Sequence, residues 1–173
     1  MRIGFLKYQN NIERRLKQVK WVIMEKNLYK KDYYLWLEKT IYLLENHQFS
    51  DLDLENLIDE IKSMSISQQK ALKSNLIVIL WHLLKYLQEP EKQTRSWALT
   101  LFEQRERIEE DLENSPSLKS FLTEDNLKKC YNKARQKAAI ETGINLEKFP
   151  KDCPFTLAEA LDFAFIPNQN QNI

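Results

Sequence analysis

The run Leu72, Leu76, Ile79, Leu80, Leu83 and Leu87 spreads apolar side chains over so much of one helix's circumference that several neighbours must surround it. A segment of that kind is the central element of a helical protein, and the remaining periodicity agrees. Tyr34, Leu37, Ile41 and Leu44 recur at helical spacing, with Tyr33 and Trp36 widening the stripe. Leu54, Leu57, Ile58, Ile61 and Met64 form a second stripe, and Trp97, Leu101, Ile108 and Leu112 a third. No stretch alternates with the period of a strand. The expectation is an all-α compact bundle of four or five main helices joined by short connections.

Local signals set the ends of these helices. Asp32 caps a helix running to about His47, and a second begins at Asp53. Ser65 and Gln68 have capping-box spacing and are read as the start of the central helix, which Pro90 stops. Thr94 or Ser96 caps the next helix, which runs to Asn114. Thr123 caps another, with Glu124 and Asp125 in its first turn and Gly143 at its end. Thr156 and Glu159 repeat the box before a last short helix.

Residues 28–167 are thus expected to form a single helical domain. Residues 1–27 read as an N-terminal extension lying partly upstream of a natural start at Met24, and 168–173 as a disordered tail. Ile12, Leu16, Val19 and Ile23 recur at helical spacing in the extension. Residues 1–23 also carry six basic side chains against Glu13, a charge of +5 in a chain whose total is +1.

Composition excludes several functions. There are two glycines, Gly4 and Gly143, so neither a phosphate-cradling loop nor a dinucleotide fingerprint is present. Cys130 and Cys153 form no C-x-x-C pair and suit a reducing cytosol. No apolar run reaches the ~18 residues of a membrane span.

Candidate chemistry has to be weighed residue by residue. In "DLDLENLIDE", Asp51, Asp53, Glu55 and Asp59 match a calcium loop until Asn56 and Lys62 occupy the positions that require glycine and glutamate. The stretch reads as a capped, solvated helix start. Glu60 and Lys62 of "DEIK" point about 200° apart on a helix and cannot aim at one metal. Neither His47 nor His82 has the Glu three residues before it that a di-iron bundle needs, and zinc would require both histidines and both cysteines without a chelating pair. No metal and no cofactor is therefore expected. His82, inside the most apolar helix, reads as a buried imidazole bonded to a neighbouring helix, with a pocket base as the rival. Lys128, Lys129, Lys133, Arg135 and Lys137 crowd one helix, and Arg95, Arg105 and Arg107 another; a solvated face is preferred there to a phosphate-binding one.

The order of motifs carries one resemblance. The chain contains D-Y-Y-L-W-L-E, D-L-D-x-E-N-L-I-x-E-I, W-H-L-L-K, R-S-W and F-P-x-x-C-P-F-T-L, in that order, between about Leu28 and Pro167. In this it resembles the family catalogued as domain of unknown function 29, common in cyanobacteria. The resemblance implies a helical bundle and no particular activity. Motif residues Asp53, Glu55, Asn56, His82, Lys85, Arg95 and Trp97 line a shared site, or are the caps and core contacts of a shared fold.

The functional expectation is a non-catalytic cytoplasmic module for protein interaction or regulation, with an unidentified protein partner and an exposed aromatic patch involving Tyr33, Trp36 or Trp97. The alternative is a ligand-binding protein or enzyme with a pocket beside His82, charged by Arg95 and by Glu55 or Asp59. Nucleic-acid association is the weaker alternative.

Overall fold

A computed structural model describes residues 28–167. The basic amphipathic extension, the start at Met24 and the tail 168–173 lie outside the described residues. Every regular element among the described residues is helical: α1 (Leu28–Lys31), α2 (Tyr33–Glu45), α3 (Leu54–Gln88), α4 (Arg95–Asn114), α5 (Glu124–Thr142) and α6 (Leu157–Leu161), with short 3₁₀ turns between. The all-α class is as the periodicity predicts. The described residues divide into two compact units, 28–63 and 64–167, with the boundary inside α3.

The caps account for most helix ends. Asp32 accepts from the Leu35 N–H, Thr94 from that of Trp97 and Thr123 from that of Asn126. Thr156 and Glu159 close a reciprocal capping box on α6. Gly143 ends α5 in the left-handed region at φ 71°. The spacing at Ser65 and Gln68 misleads, because α3 runs unbroken through it for 35 residues. No glycine or proline interrupts residues 54–88, and a capping pair cannot open a helix where nothing stops the preceding one.

The end of α2 has a device that sequence reading missed. Its last turn closes as a Schellman motif: the Gln48 N–H donates to the Leu43 carbonyl at 2.8 Å and the His47 N–H to that of Leu44 at 3.2 Å. The residue at the left-handed position is His47, at φ 57°. A side chain there is held against its steric preference. His47→Gly should therefore raise stability by about 1 kcal/mol, which urea unfolding can read.

In the second unit the central stripe is buried as expected. Leu72, Leu76, Ile79, Leu80 and Leu83 of α3 are all 2% exposed or less. They share one core with Leu101 and Ile108 of α4, Leu127, Tyr131, Ala134 and Ala138 of α5, and Phe149, Phe155 and Ala160. At positions 134 and 138, alanine presents only a Cβ to this core.

The late motif F-P-x-x-C-P-F-T-L works as a strap on this core. Phe149 and Phe155 are buried. The Tyr131 hydroxyl donates to the Pro150 carbonyl at 2.6 Å, and Arg135 donates to the carbonyls of Leu146 and Phe149 at 2.8 and 3.2 Å. Burial pushes the Tyr131 phenol up to about 12.

The first unit departs from expectation. On α2 the buried side chains are Trp36, Glu38, Thr40 and Leu43, whereas Tyr34, Ile41 and Leu44 are exposed. On α3, Leu54, Ile58 and Ile61 are exposed as well. Of these two helical stripes, Leu37 and Leu57 are half-buried and the other members lie on the surface.

Candidate functional site

In the second unit, two motifs meet at one buried amine. Lys85 of W-H-L-L-K is only 3% exposed. Its Nζ lies 2.6 Å from Oε1 of Glu141, 4.1 Å from the ring centroid of Trp97 and 5.9 Å from that of Trp81. An ammonium this deeply buried needs both a carboxylate and polarisable faces. Tyr86 packs edge-on against Trp97, and Lys137 lies over Trp81 at 5.2 Å. The Trp81 Nε1–H is buried and has no hydrogen-bond partner among the described residues.

His82 stands beside this group, with ring centroids 5.1 Å from Trp81. It is buried as expected, but its bond is to its own helix: Nδ1 lies 2.9 Å from the carbonyl of Val78, so Nδ1–H is the donor. The helix ladder leaves a second lone pair on that carbonyl, and a ring four residues on reaches it without help from a neighbour. Burial holds the imidazole below its ordinary value of 6.5, the Val78 bond opposes this, and Lys85 adds to it. The unfolded chain therefore binds a proton at a higher pH than the folded one. Stability is full above about 6.5 and falls as the pH drops from there toward the folded value. His82→Gln should flatten this part of the pH–stability curve, a change that denaturation between pH 7 and 5 would read.

The other residues proposed for a pocket fall in different surroundings. Arg95, at the start of α4, is exposed and makes no hydrogen bond or ion pair among the described residues. Glu55 and Asp59 are exposed in the first turns of α3, within the first unit, and Asp59 pairs with Lys62 at 3.4 Å.

Arg105, one of the residues read as a basic face, is buried instead. Its Nε donates to the carbonyl of Ala160 at 3.0 Å and its Nη atoms to those of Phe163 and Phe165 at 3.5 and 3.0 Å. The guanidinium fork thus ties the segment after α6 to α4. It also borders a cleft of about 490 Å³ that includes Ile108, Glu109, Leu112, Lys119 and Phe163 in its wall.

The basic residues of α5 are also largely committed. Lys129 pairs with Asp125 at 2.5 Å, Arg135 holds the strap, and Lys137 lies over Trp81. Both thiols are pushed up by burial, and their sulfurs face the carbonyls of Lys73 and Phe155. No group of three or more potential metal ligands occurs among the described residues.

The first unit contains the second set of motif residues. Trp36 Nε1 donates to Asp53 at 3.3 Å, and Asn56 Nδ2 donates to the same carboxylate at 2.7 Å. The Tyr29 and Tyr33 hydroxyls both donate to Glu60, the latter at 3.0 Å, and this pushes the Tyr29 phenol up to about 12. Tyr33 stacks on Trp36, and Tyr29 meets both rings edge-on. The proposed aromatic patch is corrected accordingly. Tyr33 is exposed, Trp97 is half-buried over Lys85, and Trp36 is 3% exposed because its indole turns toward Asp53.

The apolar surface of this unit lies elsewhere, and helix geometry places it. Successive residues turn by about 100°. On α2 the contacts to α3 leave from Tyr33 and Trp36, and Tyr34, Ile41 and Leu44 centre roughly 100° further round. On α3 the contact line is Asp53 and Glu60, and Leu54, Ile58 and Ile61 again centre roughly 100° further round. Tyr33 pairs with Glu60 and Trp36 with Asp53, so the helices run antiparallel and their residues turn in opposite senses seen from one end. Equal offsets therefore bring both stripes to the same side of the hairpin. The result is one apolar strip two helices wide.

Fold and site together define an all-α helical protein with an exposed apolar strip and, among the described residues, no cluster of three potential metal ligands. More narrowly, the chain belongs to the family described as domain of unknown function DUF29, whose profile matches residues 28–166. No curated protein and no solved structure matches it. No helix among the described residues is long and apolar enough to cross a membrane.

Proposed function

We propose that this protein is a non-catalytic cytosolic interaction module that docks a protein partner on the apolar strip of its N-terminal hairpin. The observation that carries this reading is the exposure of Tyr34, Ile41, Leu44, Leu54, Ile58 and Ile61 on one side of that unit. Scattered surface apolar residues are ordinary, but a contiguous strip on two adjacent helices is the form of a helix-binding groove. The motif residues fit supporting roles. Asp53 and Glu60 hold the two helices in register, and Lys85, His82 and Trp97 stabilise the second unit.

Replacing Ile41, Ile58 and Ile61 together by serine tests this reading. All three are 43% exposed or more, so the variant should melt within a few degrees of the wild type. It should also lose a partner that co-purifies stoichiometrically with the wild-type chain from its native cells. A variant that keeps the partner, or one that unfolds, would contradict the reading.

A further inference from the structure

The polar surroundings of the strip indicate what it binds. Residues 28–63 carry four lysines against eight carboxylates, a net charge of −4 with histidine neutral. On α2, Glu45 follows Leu44 at the edge of the strip, and on α3 Glu55 follows Leu54; both are exposed, and among the described residues neither is paired with a lysine or arginine. Asp51 and Asp53 add two more carboxylates at the turn end. Lys62, the one lysine on the exposed part of α3 in this unit, is paired with Asp59. The strip is thus apolar along its floor and acidic at its turn end.

We propose that the strip takes a basic amphipathic helix of another protein, its apolar face on Ile41, Leu44, Leu54, Ile58 and Ile61 and its Lys and Arg side chains against Glu45 and Glu55. The inference rests on the docking reading above and adds the chemistry of the occupant. A helix lying between two antiparallel helices completes a three-helix layer and covers both stripes at once. Complementary charge speeds encounter and rejects acidic helices by like-charge repulsion.

The test uses the full chain and two labelled synthetic helical peptides of about 18 residues, five turns. Both have leucine at i, i+3, i+4 and i+7; one has Lys and Arg on its polar face and the other Glu. Fluorescence anisotropy should show the basic peptide binding at least about tenfold more tightly than the acidic one, with affinity falling as salt rises. Ile58→Lys with Ile61→Lys should abolish that binding, while Ile140→Lys, at an exposed site on α5, should leave it unchanged. Circular dichroism confirms that each variant is folded. Equal binding of both peptides, lost in the strip variant, would overturn the charge assignment while leaving the docking surface intact. Failure of both peptides, with a concentration-dependent dimer that the strip variant dissolves, would identify a second copy as the occupant. Failure of both with a monomeric chain would overturn the docking reading as well.

Discussion

Arg105→Met should destabilise the protein by about 3 kcal/mol, seen as a melting temperature lower by roughly 6–12 °C. The arginine is 3% exposed, and its fork donates to the carbonyl of Ala160 in α6 and to those of Phe163 and Phe165 after it. Methionine fills a similar volume and donates nothing, so those carbonyls lose their partners together. Part of the cost is offset, because burial of the guanidinium is itself unfavourable: it lowers the Arg105 pKa, against the attraction of Asp162. Arg105→Lys should recover little, since one ammonium cannot reproduce the planar fork that spans Ala160 to Phe165. Hydrogen exchange should show the 160–165 segment opening first in both variants. If lysine restored wild-type stability, charge and not geometry would be the determinant.

The second large effect is an asymmetry in the pair Lys85–Glu141. The two ends differ in exposure, with side chains 4% and 44% accessible. Glu141→Ala strands the ammonium in a buried site where the two tryptophan faces are its remaining partners, and should cost about 2–3 kcal/mol. Lys85→Met leaves Glu141 free to turn to water and fills the space between Trp81 and Trp97 with apolar atoms, so it should cost about 1 kcal/mol or less. The order of the two losses is the informative quantity, and chemical denaturation at fixed pH gives it. Equal losses would mean that the pair contributes as a surface salt bridge and that Lys85 is not held by its burial.

Much of the fold could be read directly from local chemistry. Asp32, Thr94, Thr123 and Thr156 cap as read, because a cap depends on three or four consecutive residues. The stripe from Leu72 to Leu83 is core because its width leaves no alternative. The stripes at Tyr34–Leu44 and Leu54–Ile61 have the same period but are exposed, since period gives a face and not what covers it. Trp36, expected in an exposed aromatic patch, is buried, because its polar partner, Asp53, lies 17 residues away, just before α3.

The candidate site was legible only in its members. Lys85, His82 and Trp97 stand in the motifs, but Glu141 lies 56 residues from Lys85 and no local spacing announces the pair. Arg105 and Ala160 are 55 apart, and Tyr29 and Glu60 are 31 apart. Charge alone gives no sign of burial, so Arg105 reads with Arg95 and Arg107 as a basic face. Its position three residues before the core residue Ile108, and four after Leu101, was the one available hint.

The docking strip is the central claim, and site-specific photo-crosslinking in native cells tests it most directly. A photoreactive phenylalanine analogue placed at Ile58, with one at Ile140 as an exposed control, reports what lies against each surface. A docking strip at this position should give a discrete adduct with one other protein from position 58 and none from position 140. Equal, diffuse labelling from both positions, or adducts from position 140 alone, would contradict it.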